Sequence, residues 1–156
     1  MNKNLLLFLC LFLCLITSIS GNLELVGKLS KEEILKHFPD WQEEASSYFP
    51  KLEMVEKLNS IDYYIKIECF LGTWCSDCKE HVSSYFKIME MADNPLISST
   101  YIGIPRDKES RKPFIQGKNI EKVPTFIVYI NGEERGRIIE TPQKSVEEDL
   151  IDIINR

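Results

Sequence analysis

The sequence predicts an α/β fold in which a central mixed β-sheet is flanked by helices and preceded by a helical N-terminal extension. Three observations lead to this prediction. The second half of the chain alternates β-rich apolar runs with amphipathic helical segments. The pair Asn131-Gly132 is a strong hairpin signal between the last two β-rich runs. Capping boxes at Ser30 and Ser145 mark the start of two helices.

The first 20 residues have the three-part layout of a secretory signal peptide. Lys3 gives a short positive start, residues 5–16 form an unbroken apolar run, and Ser18 and Ser20 are the small residues before a cleavage site after Ser20. The apolar segment is shorter than the about 20 residues that span a bilayer. We therefore expect cleavage, export to the periplasm or the medium, and no stable membrane span afterwards. An uncleaved membrane anchor is the alternative.

Residues 21–60 are predicted to form a helical extension that packs on the main domain. Ser30 begins the first helix, Asp40 is expected to cap the second, and Pro50 suits the first turn of the third. No chemical motif falls in this stretch.

Residues 61–156 are predicted to form the main domain, with the order β-α-β-loop-β-β-α. The central strand is mostly apolar, as expected for a strand buried on both faces. The β-rich runs lie at 63–71, 96–104, 125–130 and 137–139, the helices at 76–91 and from Ser145 onward, and a polar loop with a short helix at 105–122.

The overall composition is that of an ordinary folded protein. The chain has 156 residues, of which 44% are hydrophobic and 28% charged. A chain of this length buries roughly two-thirds of its unfolded surface, so it needs no disulfide framework. Its net charge of −5 argues against a nucleic-acid partner.

The five cysteines fall into distinct groups. Cys10 and Cys14 lie in the apolar run and are expected to leave with the signal peptide. Cys69, Cys75 and Cys78 remain, in a compartment that permits disulfides. Because three is an odd number, at least one of them has no partner within the mature chain.

The segment Cys75-Ser76-Asp77-Cys78 carries the candidate chemistry. It follows a predicted strand and a tight turn, and it opens a predicted helix. Unpaired N–H groups and the helix dipole stabilise a thiolate at that position, so Cys75 is the candidate nucleophile. Cys78 lies one helical turn further on, within reach of a disulfide, and could resolve the mixed disulfide formed when Cys75 attacks a substrate. We expect Cys78 to be the more buried thiol.

A metal site is the weaker alternative for the same residues. Cys75, Cys78 and His81 are spaced so that they could hold a metal on roughly one helical face, as in a metal carrier. Zinc sites usually close with a fourth ligand, and the sequence offers no second Cys-x-x-Cys. His81 is more simply explained as a solvated helix residue, and we assign no metal.

Three motifs resemble those of thioredoxins, in the order in which that family has them. Trp74-Cys75-Ser76-Asp77-Cys78-Lys79 resembles the active-site segment W-C-x-x-C-K. Val123-Pro124-Thr125-Phe126 resembles the cis-proline segment, and Asn131-Gly132-Glu133 the turn after the next strand. The resemblance covers residues 61–156 and implies a thioredoxin fold for this part of the chain. Two further segments, Gly72-Thr73-Trp74-Cys75 and Gly136-Arg137-Ile138-Ile139-Glu140, resemble those of exported bacterial thioredoxin-domain proteins.

The resemblance also implies a role for individual residues. Cys75 would be the nucleophile and Cys78 the resolving thiol. Pro124 would be cis and face the disulfide, Val123 would pair with an extended substrate strand, and Trp74 would shield the cysteines. The implied activity is thiol–disulfide exchange on protein disulfides outside the cytoplasm. It would require no organic cofactor, but it would require a redox partner that the sequence does not name. A non-catalytic binding module with the same fold is the alternative.

The sequence departs from the thioredoxin pattern at two places. Ser76-Asp77 stands where thioredoxins commonly have Gly-Pro. The Asp77 carboxylate disfavours a neighbouring thiolate, whereas Lys79 favours it, and a less stabilised thiolate favours a reductant. Cys69, next to Glu68, occupies the position of a buried Asp in many thioredoxins. We interpret Cys69 as a small buried apolar residue.

Overall fold

The computed structural model describes residues 23–156. The predicted signal peptide, with Cys10 and Cys14, lies outside the described residues. Within residues 23–156, no helix has the length and apolar character needed to cross a bilayer. In chain order the elements are β1 (Gly27–Leu29), α1 (Lys31–His37), α2 (Pro39–Ser47), α3 (Leu52–Asn59), β2 (Ile65–Leu71), α4 (Ser76–Ala92), β3 (Ile97–Gly103), a 3₁₀ turn (Glu109–Arg111), α5 (Lys112–Ile115), β4 (Thr125–Ile130), β5 (Glu133–Ile139) and α6 (Val146–Ile154).

The strands form one mixed sheet in the order β1-β3-β2-β4-β5. β2 is the central strand. It pairs in parallel with β3, with Cys69 opposite Tyr101, and antiparallel with β4, with Cys69 opposite Phe126. β4 and β5 form the predicted antiparallel hairpin across Asn131-Gly132. This arrangement is a thioredoxin fold, and it confirms the predicted α/β class with a mixed sheet flanked by helices.

The helices α4 and α6 pack on the sheet face that carries Cys69. Residues directly opposite one another on paired strands share a face, so Cys69, Tyr101 and Phe126 point the same way. Tyr85 of α4 contacts the rings of both Tyr101 and Phe126. α2 and α3 pack against α4, and α3 also contacts α6. The N-terminal helices are thereby joined to the core of the main domain.

The strand β1 was not anticipated from the sequence. It is three residues long and pairs antiparallel with the edge of β3, with Gly27 opposite Gly103. The chain passes so close to β3 here that a Cβ atom on Gly103 would lie 2.3 Å from the Leu25 carbonyl oxygen. Residues 23–60 therefore contribute an edge strand as well as three helices.

Both capping boxes begin helices as predicted. The Ser30 hydroxyl accepts a hydrogen bond from the Glu33 amide at 3.0 Å, and the Ser145 hydroxyl accepts one from the Glu148 amide at 3.4 Å. Each bond satisfies one of the N–H groups that a helix start leaves without an intrahelical partner.

Two other predicted helix starts were wrong. Asp40 lies in the first turn of α2 but does not cap it, because Pro39, whose fixed φ suits a first helical position, already belongs to the helix. Pro50 lies before α3 instead of in its first turn. The amide of Lys51 donates to the Glu147 carboxylate at 3.0 Å, and Lys51 has an extended conformation, so the helix begins only at Leu52.

Candidate functional site

The Cys-x-x-Cys segment lies where the sequence predicted it, between a strand and a helix. β2 ends at Leu71, a turn follows, and Cys75 is the extended N-cap residue of α4. Gly72 allows the turn to be tight, since a Cβ atom there would lie 2.5 Å from the indole ring of Trp74. A larger residue at position 72 would push the tryptophan away from the turn.

The two cysteines of the motif differ in exposure, as expected. Both are free thiols; Cys75 is half-buried, whereas Cys78 is fully buried. The Cys78 sulfur accepts a hydrogen bond from the Gly72 amide at 3.3 Å. The Cys75 thiol donates to the Val123 carbonyl oxygen at 3.5 Å. Cys75 is thus the thiol that a substrate could reach.

The environment of Cys75 lowers its pKa to about 6. The largest cause is the hydrogen bond that the Cys78 thiol donates to the Cys75 sulfur; partial burial opposes it, and the backbone amides of Cys78 and Asp77 add to it. Burial and this same donated bond raise the pKa of Cys78 far above its usual range. These shifts favour a Cys75 thiolate beside a Cys78 thiol at neutral pH, and the bond to the Val123 carbonyl belongs to the protonated form of Cys75.

Of the two residues predicted to tune the Cys75 thiolate, Asp77 is among the causes of the Cys75 pKa shift and Lys79 is not. The Asp77 carboxylate does raise the pKa of Cys75, in the predicted direction, but it is the smallest of the causes, and the Asp77 amide acts the opposite way. The Lys79 ammonium lies 2.9 Å from a carboxylate oxygen of Asp40 on α2. That carboxylate offsets part of the lysine charge near the site.

The peptide bond between Val123 and Pro124 is cis, as the motif predicted. Both residues are buried, and the Val123 carbonyl faces the Cys75 sulfur. The fold therefore brings the proline segment against the thiol that the substrate would meet. Pairing of Val123 with a substrate strand remains a prediction.

Trp74 is half-buried beside the thiols, and two arginines flank its ring. Its indole N–H donates to the Ile104 carbonyl at 2.9 Å. The guanidinium of Arg106 lies 5.4 Å from the ring centroid and that of Arg111 lies 5.0 Å from it. Sequence reasoning missed both arginines. The available signal was the excess of basic residues in the polar stretch 105–122.

Cys69 lies fully buried in the central strand, where burial raises the pKa of its thiol. Glu68 points to the opposite face, where Lys66, Lys118 and Tyr129 bond its carboxylate. Burial alone would raise the pKa of Glu68, but the bonds from the two lysines outweigh it, and the net shift is downward. Neither residue can therefore act as the buried acid that assists Cys78 in many thioredoxins.

The candidate metal ligands do not form a metal site in the described part of the chain. Among residues 23–156, no three His, Cys, Asp or Glu side chains come together in a group that could hold an ion. The His81 ring is largely buried, and its Nδ1 atom lies 4.0 Å from Glu80. His81 is therefore less solvated than expected.

Comparison with known proteins finds structural similarity at low sequence identity. No family model matches the chain, and no curated protein matches it. A protein of unknown function from Pseudomonas aeruginosa is 16% identical, with 78% of this chain and 84% of that chain covered and a TM-score of 0.57. An HIV epitope scaffold is 15% identical, with 82% of this chain and 93% of that chain covered and a TM-score of 0.62. A mutant thioredoxin from Halobacterium salinarum is 19% identical, with 68% of this chain and 83% of that chain covered and a TM-score of 0.43.

Proposed function

We propose that this protein is a thiol–disulfide oxidoreductase that acts on protein disulfides outside the cytoplasm through Cys75 and Cys78. One observation carries the proposal: a half-exposed thiol with a lowered pKa lies 3.5 Å from the carbonyl before a cis-proline and three residues before a buried second thiol. Thiolates are the attacking species in disulfide exchange, and the cysteine three residues on can complete the reaction.

The reaction balances as a two-electron transfer. The Cys75 thiolate attacks one sulfur of a substrate disulfide; a Cys75–substrate disulfide forms, and the other substrate sulfur leaves as a thiolate and takes up a proton. Cys78 then loses its proton and attacks the Cys75 sulfur. The substrate's second sulfur leaves and takes up a proton, which gives a reduced substrate and a Cys75–Cys78 disulfide. A dithiol donor then reduces that disulfide.

The second step is the one that this site assists least. Cys78 must lose its proton although burial disfavours its thiolate. Cys69 lies behind it in place of an acid, and Glu68 is held on the other face of the sheet. We therefore propose that the mixed disulfide on Cys75 persists longer than it would with a buried carboxylate beneath Cys78.

We further propose that the protein works in the reducing direction. A more stable thiolate makes the couple more oxidising. The pKa of Cys75, about 6, lies closer to the thioredoxin value of about 7 than to the value of about 3.5 in a strongly oxidising relative. The Asp77 carboxylate acts in the same reducing sense.

Reduction of insulin disulfides with dithiothreitol as the electron donor tests the proposed activity. The wild-type protein should accelerate reduction, and Cys75→Ser should abolish the acceleration because no nucleophile remains. Cys69→Ala is the matched cysteine control and should retain it. In Cys78→Ser, substrate should accumulate in a mixed disulfide with Cys75. A wild-type protein that does not accelerate reduction would instead support a binding module.

A further inference from the structure

The segment between β3 and β4 carries positive charge to the edge of the active site. Residues 105–122 contain six Lys and Arg against three Asp and Glu, although the whole chain has a net charge of −5. Three of the six basic side chains are paired elsewhere: Lys112 with Glu109, Lys118 with Glu68 and Lys122 with Glu140. Two of the other positive charges, those of Arg106 and Arg111, lie against the ring of Trp74, the residue before Cys75.

Backbone carbonyls hold these arginines in place. The Arg111 guanidinium donates to the Pro105 carbonyl at 2.9 Å and to the Arg106 carbonyl at 2.8 Å. The Arg106 guanidinium donates to the Trp74 carbonyl at 3.3 Å. Both groups therefore have a fixed position beside the indole ring. We refer to Arg106, Arg111 and Trp74 together as the arginine patch.

Their charges are only partly compensated. Arg106 has a distant partner, Glu24, at 3.9 Å. The contacts of Arg111 are carbonyl groups, which carry no net charge, and within residues 23–156 no carboxylate lies at ion-pair distance from it. Asp107 is near enough for Arg111 to lower the pKa of its carboxyl group, but its oxygen accepts from Ser110 at 2.6 Å and 2.8 Å. Arg111 thus keeps a net positive charge and a free edge of its guanidinium group.

We infer that the arginine patch selects disulfides that are flanked by acidic side chains in the substrate protein, an inference that rests on the proposed exchange activity. A guanidinium group binds a carboxylate through paired N–H donors. Opposite charges on two surfaces raise the association rate and fix the orientation of the encounter. A carboxylate close to the substrate disulfide would meet Arg111 as that disulfide approaches Cys75.

The opposing explanation is that the arginines only hold Trp74 in place. In that case they would support exchange with every substrate equally. Substrate charge separates the two explanations, because a purely structural role gives no preference between an acidic and a neutral peptide.

The test uses two disulfide-bonded peptides that differ only in having Glu or Gln beside their cysteines. Single-turnover reduction by the dithiol form of the exported protein gives a rate constant for each peptide. We expect the Glu peptide to react about three- to tenfold faster at low salt, and we expect the ratio of the two rates to fall toward one at high salt. Equal rates at low salt would overturn the inference.

Variants locate the preference. Arg111→Gln should bring the ratio of the rate constants for the Glu and Gln peptides close to one. Arg111→Lys should keep most of the preference for the Glu peptide because the charge remains. Lys144→Gln, which removes the same charge at an ion pair with Asp152 on α6, should leave the ratio unchanged. If Arg111→Gln lowers the rate constants for both peptides by the same factor, Arg111 acts only through Trp74. If the wild-type protein reduces neither peptide, the proposed function itself fails.

Discussion

The three cysteines of the described chain have the same side chain but three different reactivities, which their surroundings set. Cys75 is half-exposed and receives N–H and S–H donors, so its thiolate is stabilised. Cys78 is buried and keeps its proton in a hydrogen bond to Cys75, so its thiol form is favoured. Cys69 is buried without any stabilising donor to its thiolate. Burial and hydrogen bonding therefore support the proposed roles of Cys75 as nucleophile, Cys78 as resolving thiol and Cys69 as an inert residue.

Alkylation against pH tests this assignment. Because the pKa of Cys75 is lowered to about 6, its thiolate persists below neutral pH. The rate of Cys75 alkylation should therefore fall only as the pH drops through about 6. An ordinary thiol would lose its reactivity at about pH 8.5. Cys78 should react more slowly, and Cys69 only after unfolding. A Cys75 midpoint close to 8.5, or rapid labelling of Cys69, would contradict the assignment.

Asp77→Asn isolates the carboxylate from the amide of the same residue. The substitution keeps the backbone N–H that stabilises the Cys75 thiolate and removes the charge that opposes it, so the pKa of Cys75 should fall slightly and the couple should become slightly more oxidising. The helix should lose about 0.3–1 kcal/mol because a first-turn carboxylate favours its dipole. Thiolate absorbance against pH measures the first effect.

Glu80→Gln is the matched control for Asp77→Asn. It removes the same charge from α4 at an exposed position that is not among the causes of the Cys75 pKa shift. An unchanged Cys75 pKa in Asp77→Asn would mean that solvent screens the carboxylate from the sulfur. Asp77 would then give the couple no reducing bias.

At the scale of elements, one buried carboxylate joins the N-terminal helices to the last helix. Glu147 lies in the first turn of α6 and is only 1% exposed. It accepts from the Tyr48 hydroxyl at 2.7 Å and from the Lys51 amide at 3.0 Å, both in the connection between α2 and α3. Burial and these contacts raise the pKa of Tyr48. A buried carboxylate is tolerated because such donors replace its hydration.

Glu147→Ala should destabilise the protein without changing its thiol chemistry. The substitution leaves the Tyr48 hydroxyl and the Lys51 amide without their acceptor, at a cost of about 1–3 kcal/mol in the free energy of unfolding. Glu44→Ala, at an exposed position of α2, should change the free energy of unfolding by less than about 0.5 kcal/mol. Urea unfolding measures both, and the Cys75 alkylation rate should stay that of the wild-type protein. Equal stability of the two variants would disprove the bridging role.

Elements with a local signature were predicted well. β4 has the predicted bounds, α4 extends one residue beyond its prediction, and both capping boxes start helices. β1 was missed because three residues carry no periodicity and its partner lies in β3, far along the chain. The start of α3 was misplaced for a similar reason, since the amide of Lys51 is bonded by Glu147 from α6.

The same distinction applies to the site. Cys75, Cys78 and Pro124 were found because their motifs are short and contiguous. The contacts of Trp74 with Arg106 and Arg111, and of Lys79 with Asp40, join segments separated by many residues. No local pattern specifies such pairs, so they became visible only in the folded chain.

At the scale of the whole molecule, the sheet brings the cysteine and proline motifs together. β2 and β4 are antiparallel neighbours, and Phe70 near the end of β2 lies opposite Thr125 at the start of β4. The segment after β2 and the segment before β4 therefore meet at the same edge of the sheet. This places the Val123 carbonyl next to Cys75 although 48 residues separate them.

Export of the protein should be accompanied by removal of its N-terminal segment. The charged start, the apolar run and the small residues before Gly21 predict that the mature protein begins at or near that glycine. The intact mass of the exported protein should lack residues 1–20. A mass that retains Lys3 would support a membrane anchor.

The central claim is that Cys75 and Cys78 form a reversible dithiol–disulfide couple, and equilibration with glutathione tests it most directly. After acid quenching and alkylation, mass spectrometry should show one two-electron transition confined to Cys75 and Cys78, with Cys69 reduced throughout. Its potential should lie closer to about −270 mV, the thioredoxin value, than to about −120 mV, the value of a strong oxidant. The absence of any transition, or a disulfide that includes Cys69, would contradict the claim.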